Sequence, residues 1–179
     1  MISWPIKTAI ASGCFDRIIV STEDDEIAAI SQEYGAEVPF RRPAHLADDY
    51  AGPHDAVIHA IDWMALNGCY PAAIACIYPT AAFLTPEDIL AGARCLAEQD
   101  VAFALTVTPL EFPVQRAVRL NANYRLEMLQ PECATKRSQD LEEIYHDAGA
   151  LYWGHPESIK DRVPFFGSNT HGIVLPRDR

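Results

Sequence analysis

The 179-residue chain lacks the glycine-rich loops that usually hold phosphates. Its nine glycines form neither G-x-G-x-x-G nor G-x-x-x-x-G-K-[ST]. It is also short of positive charge, with 14 Lys and Arg against 25 Asp and Glu and a net charge of −11. With no basic tail, a nucleic-acid binder is disfavoured, because phosphate contacts need a clustered basic surface. No apolar run approaches the about 18 residues of a membrane span, and no basic segment followed by an apolar one opens the chain. A cytoplasmic protein with no membrane partner is therefore expected. The five cysteines (Cys14, Cys69, Cys76, Cys95, Cys133) include no C-x-x-C pair and lie in or beside apolar segments, as reduced core or near-core thiols would. His54 and His59 are five apart and do not share a helix face, so zinc of the H-x-x-x-H kind is not expected. His146, Asp147 and a serine such as Ser21 or Ser138 could be assembled on paper into a hydrolytic triad, but the chain has no G-x-S-x-G elbow.

What is present is a hydrophobic content of 49%, enough for one domain with a sizeable core. The runs "RIIVST" (17–22), "AIACIYP" (73–79) and "VAFALTVT" (101–108) have the continuous apolar character of strands buried on both faces of a mostly parallel sheet. Helical patterns lie before and between them. "WPIKTAIASG" (4–13) has Pro5 near its first turn and Gly13 as its stop. The next pattern places Thr22 as N-cap with Asp25 three residues on, Ile27 and Ile30 on one face, and Gly35 as the stop. Residues 54–68 carry Val57, Ile58, Ile61 and Met64 at helical spacing before Gly68. Thr85, Pro86 and Asp88 open a fourth helix whose stripe is Ile89, Ala93 and Leu96. This alternation predicts an α/β layered fold. "RAVRL" (116–120) and "RLEML" (125–129), joined by "NANY", read as a small β-rich excursion from the sheet.

The ordered segments "FDRIIVSTEDDEIAAISQEYGAEVPFRRPAHLADD", "IYPTAAFLTPEDI", "FPVQRA", "RSQDLEEIYHDAGALYWG" and "IVLPR" together resemble the acylneuraminate-type cytidylyltransferases that activate nine-carbon sugar acids. The resemblance implies a nucleotide-diphospho-sugar transferase-like fold, usually dimeric. Such a protein joins CTP and a sugar acid, with Mg2+, to give a CMP-sugar and pyrophosphate. Pseudaminic acid is the expected sugar and N-acylneuraminate (sialic acid) the alternative. A non-catalytic relative that keeps only the sugar pocket is a second alternative. By the same resemblance, a strand and phosphate loop are expected ahead of Met1 and a metal-holding segment beyond Arg179. Residues 1–179 are then a single cytidylyltransferase domain without either, and no metal ligand is expected within them.

Such substrates bring several negative charges to an acidic protein, so local cations must outweigh the overall field. Arg116, Arg119, Arg125, Lys136 and Arg137 fall within one short stretch, and arginine's planar fork suits carboxylate and phosphate. The resemblance assigns Arg137 as the catalytic clamp on an anionic group, and Arg41, Arg42 and Thr80 to the nucleotide. It assigns Tyr78, Gln115, Arg116, Gln139, Asp140, Tyr145, His146, Asp147 and Tyr152 to the sugar. Several have a plainer reading: an exposed arginine for Arg41 and Arg42, a core aromatic for Tyr78, and a dimer contact or solvated loop for residues 136–153. Asp48 and Asp49 read as helix-approach residues rather than metal ligands.

Overall fold

The computed structural model describes residues 1–48 and 50–178. Four helices follow the spacing of apolar positions: α1 (Ser3–Ser12), α2 (Asp25–Glu33), α3 (Pro53–Leu66) and α4 (Pro86–Leu96), and a short α5 (Pro156–Lys160) follows later. Helix α1 stops at Gly13, which takes a left-handed conformation (φ 65°) that few other residues adopt cheaply. Helix α4 begins with a complete capping box. The Thr85 side chain accepts from the Asp88 N–H, and the Asp88 carboxylate accepts from the Thr85 N–H at 2.9 Å.

The main sheet has the order β1 (Ile74–Ile77), β5 (Tyr145–Gly154), β2 (Phe103–Pro109), β6 (Thr170–Val174). Strands β1, β2 and β6 point the same way, and β5 runs against them between β1 and β2. The sheet is thus mixed, with three of its four strands in one direction. On one face, Ile89 and Leu96 of α4 and Ala9 of α1 pack with Ala104, Leu151, Trp153 and Ile173. On the other, Ile61 of α3 and Ile159 of α5 enclose Phe103. Ile61, Ile89, Phe103 and Leu151 are fully buried, each worth roughly 1.5–3 kcal/mol of removed apolar surface. Strands β3 (Val118–Leu120) and β4 (Leu126–Met128) form a separate antiparallel hairpin, as the excursion predicted. No helix among the described residues is long and apolar enough to cross a membrane.

Four local expectations are corrected. "RIIVST" is not a strand of the sheet. It is extended, with one parallel bridge between Ile19 and Glu37 made by Val20 N–H to Glu37 O (2.9 Å) and Glu37 N–H to Ile18 O (2.7 Å). Its apolar side chains do contribute to the core, where Ile18 joins Ala75 and Ile77, but burial alone does not supply a ladder partner. "RIIVST" and β1 are not hydrogen-bonded to each other, so β1 is an edge strand. The N-cap of α2 is Asp24, whose side chain accepts the Ile27 N–H at 2.8 Å, while Thr22 accepts the Asp24 N–H one step earlier. The buried face of α2 is Ala28 and Ser31, which leaves Ile27 exposed. All five cysteines are free, but Cys69 is exposed rather than near the core. Asp48 accepts the N–H groups of Tyr50 and Ala51 (2.9 and 2.8 Å), the helix-approach role expected of it; Asp49 lies outside the described residues.

Candidate functional site

Strand β5 does not pair with β2 in a single register. Leu105 faces Tyr152, yet Val107 faces Asp147, so β5 carries extra residues as a bulge. Gly149 permits it at φ 63°, and the Thr106 hydroxyl repairs it by accepting the Leu151 N–H at 3.1 Å and donating to the Leu151 carbonyl at 3.3 Å. The bulge swings Asp147 back over Tyr152, whose hydroxyl donates to the carboxylate at 2.6 Å, while the Gly149 N–H donates to its other oxygen at 2.9 Å. Tyr78, just past the end of β1, lies beside Tyr152 with ring centroids 5.2 Å apart. These groups gather at the carboxyl end of β1, where α/β sheets commonly place ligands.

Tyr78, Asp147 and Tyr152 line a cavity of about 280 Å³. Much of the remaining lining is apolar and aromatic, with Val57, Phe103, Phe165 and Phe166. His54 also lines it and is fixed by a 2.7 Å hydrogen bond to the Ile159 carbonyl. Burial and the bond to Asp147 push the Tyr152 hydroxyl far above the ordinary tyrosine range, so it remains a donor at neutral pH. Burial also raises Tyr78 and pushes the Cys76 thiol in this cavity up to about 11, which makes it a poor nucleophile.

Gln115 and Asp140 line a second, polar cavity of about 220 Å³, together with Lys136 and Glu142. The buried Gln115 amide donates to the Glu142 carbonyl at 2.9 Å, and its oxygen has no partner among the described residues. The remaining expected residues line neither cavity. Arg41 pairs with Asp25 at 2.7 Å and Arg42 with Glu23 at 2.5 Å, both at the start of α2. Thr80 is exposed in the turn after β1. Arg116 donates to the Lys136 carbonyl, and Arg137 forms a two-point pair with Asp140 at 2.8 and 3.2 Å, its side chain 72% exposed. Gln139 is exposed beside that pair. Tyr145 donates to Glu143 at 2.6 Å, and His146 is held to the backbone of Asp147.

Sequence reasoning missed His54, Phe165 and Phe166. The adjacent aromatics of "VPFFG" in a connecting loop were the available signal for the last two. Among the described residues no set of oxygen donors converges as a magnesium ion requires, with Asp147 the single carboxylate on the main cavity.

A solved structure of CMP:2-keto-3-deoxy-manno-octonic acid synthetase complexed with CTP superposes with a TM-score of 0.64 over 98% of this chain and 78% of that one, at 10% identity. Residues 1–166 match the cytidylyltransferase family, and the chain belongs to it. It is 34% identical over 178 residues to the pseudaminic acid cytidylyltransferase of Campylobacter jejuni, covering 99% of this chain and 77% of that protein. It is 49% identical over 186 residues to the post-translational flagellin modification protein B of Campylobacter coli, covering 98% of this chain and 74% of that protein.

Proposed function

We propose that the protein joins CTP and pseudaminic acid to give a CMP-sugar and pyrophosphate in the cytoplasm. The observation that carries this reading is the match along nearly the whole chain to an enzyme of that name. The main cavity supports it. An aromatic wall offers apolar surface to the C–H faces of a sugar, while Asp147 and the two tyrosine hydroxyls can bond its hydroxyl and amide groups.

In the reaction the family carries out, a sugar hydroxyl displaces pyrophosphate from the α-phosphorus, so protein catalysis is positioning plus charge neutralisation. Arg41, Arg42 and Arg137 are proposed for the anionic groups. Their present partners are surface carboxylates, and such pairs contribute about 0–1 kcal/mol, so exchange for a phosphate or sugar carboxylate costs little. The Gln115 oxygen is proposed to accept from the sugar. Magnesium comes with the family resemblance, but the described residues do not form an oxygen cage for it.

The test is incubation with CTP, magnesium and either pseudaminic acid or N-acetylneuraminic acid, following pyrophosphate and the CMP-sugar. CMP-pseudaminate with little CMP-neuraminate is the expected result. Preference for the neuraminate would overturn the assigned sugar. Calorimetric binding of pseudaminic acid without pyrophosphate release would point to a sugar-binding relative instead.

We further propose a homodimer joined through the β3–β4 hairpin. That two-stranded sheet exposes Val118, Leu120 and Leu126, and Leu129 just after it is exposed too, and an isolated hairpin is at best marginal in water. Leu120→Asp with Leu126→Asp is expected to convert a dimer to a monomer in light scattering at micromolar concentration. A monomeric parent protein would remove the idea.

A further inference from the structure

At the far end of the sheet from Asp147, three side chains with metal-ligand chemistry converge. Cys95 lies in the last turn of α4, and Glu98 follows it in the turn that ends the helix, with its N–H bonded to the Cys95 carbonyl at 3.1 Å. His171 is the second residue of β6, held in register against Ala104 of β2. The Cys95 sulfur, a Glu98 carboxylate oxygen and a His171 ring nitrogen all lie within 4.8 Å of one another. The His171 Nδ1 to Glu98 Oε2 distance is 3.7 Å. In a tetrahedral zinc site with bonds of about 2.0–2.3 Å, neighbouring ligand atoms are about 3.3–3.6 Å apart. Small side-chain rotations would therefore close the set, on backbone already fixed by a helix end and a strand.

The partners of these groups point the same way. Glu23, Glu37, Asp62 and Asp140 each face an arginine or lysine, whereas the ion-pair partner of Glu98 is the His171 ring. We infer that Cys95, Glu98 and His171 form a site for a borderline-soft divalent cation of the zinc type, with water in the fourth position. A thiolate–imidazole–carboxylate set suits Zn2+ and rejects Mg2+, which demands an octahedron of oxygens. Cys95 is partly buried, and burial together with Glu98 raises its thiol, so the cation must displace a proton to bind. Arg94 is the nearby opposing charge. Once bound, the ion ties the end of α4 to the start of β6.

The experiment is titration of the metal-free protein with Co2+ and Zn2+. One equivalent of Co2+ is expected to give a near-ultraviolet thiolate-to-metal charge-transfer band. Zn2+ at about a hundred times its Kd is expected to raise Tm by about 5–10 °C. Cys95→Ser should abolish the band. His171→Ala should weaken binding by at least the roughly 10- to 100-fold that loss of an outer partner costs. Cys69→Ser, at the exposed cysteine, should bind like the parent. Absence of the band in the parent, or an equal Zn2+-induced Tm rise in Cys95→Ser, overturns the site.

Discussion

Gly92→Ala is expected to lower Tm by about 4–8 °C. Gly92 lies in the middle of α4, where alanine normally gains about 1 kcal/mol in helix propensity. Here a Cβ would stand 2.2 Å from Cδ1 and 2.6 Å from Nε1 of Trp153. The indole has little room to retreat. It is buried, donates to the Ile89 carbonyl at 3.1 Å, and stacks on Phe15 at a centroid distance of 5.3 Å. Overpacking of this kind costs about 3 kcal/mol, so the clash outweighs the propensity gain by about 2 kcal/mol, and each kcal/mol shifts Tm by about 2–4 °C at this chain length. Thermal unfolding followed by circular dichroism checks it. An unchanged or raised Tm would mean that Trp153 moves freely.

The second large effect is on binding. Asp147→Ala is expected to weaken pseudaminic acid binding roughly 10- to 100-fold, because hydrogen bonds to a charged group are worth about 1.5–3 kcal/mol. Stability should change little, since the residue is exposed. Tyr152→Phe keeps the ring and loses the donor to Asp147, and a smaller loss is expected, on the order of tenfold. Calorimetry on the parent and both variants measures this. Equal affinities would place the sugar elsewhere, the cavity lined by Gln115 and Lys136 being the next candidate.

Much of the fold was legible because its signals are local. The glycine ending α1 and the Thr85–Asp88 box report backbone conformations fixed within four residues. "RIIVST" misled because apolar composition reports burial and is silent on whether a neighbouring strand exists to complete the ladder. The α2 stripe failed for a related reason: helical spacing placed Ile27 correctly in the helix but could not say which face meets the protein. In the site, Tyr78, Asp147 and Tyr152 were named from sequence and do share a cavity. Alternation along a strand could not have shown that Asp147 reaches a side chain five residues away, since only the bulge at Gly149 permits it. Arg137, expected as the anion clamp, is engaged by Asp140, a pairing three residues apart that sequence spacing allows but does not reveal.

The position of β5 in the sheet also governs the order of assembly during synthesis. It lies between β1 and β2 in space yet follows both in sequence, so the backbone ladder that joins them waits for residues 145–154. A ribosome adding about 5–20 residues per second needs roughly 2–9 s to go from the end of β2 to the end of β5. For that interval two apolar strands have emerged without the one that pairs with both. Such long-range pairing is slow and exposes unpaired edges, so the nascent chain depends most on chaperone protection between the emergence of β2 and that of β5.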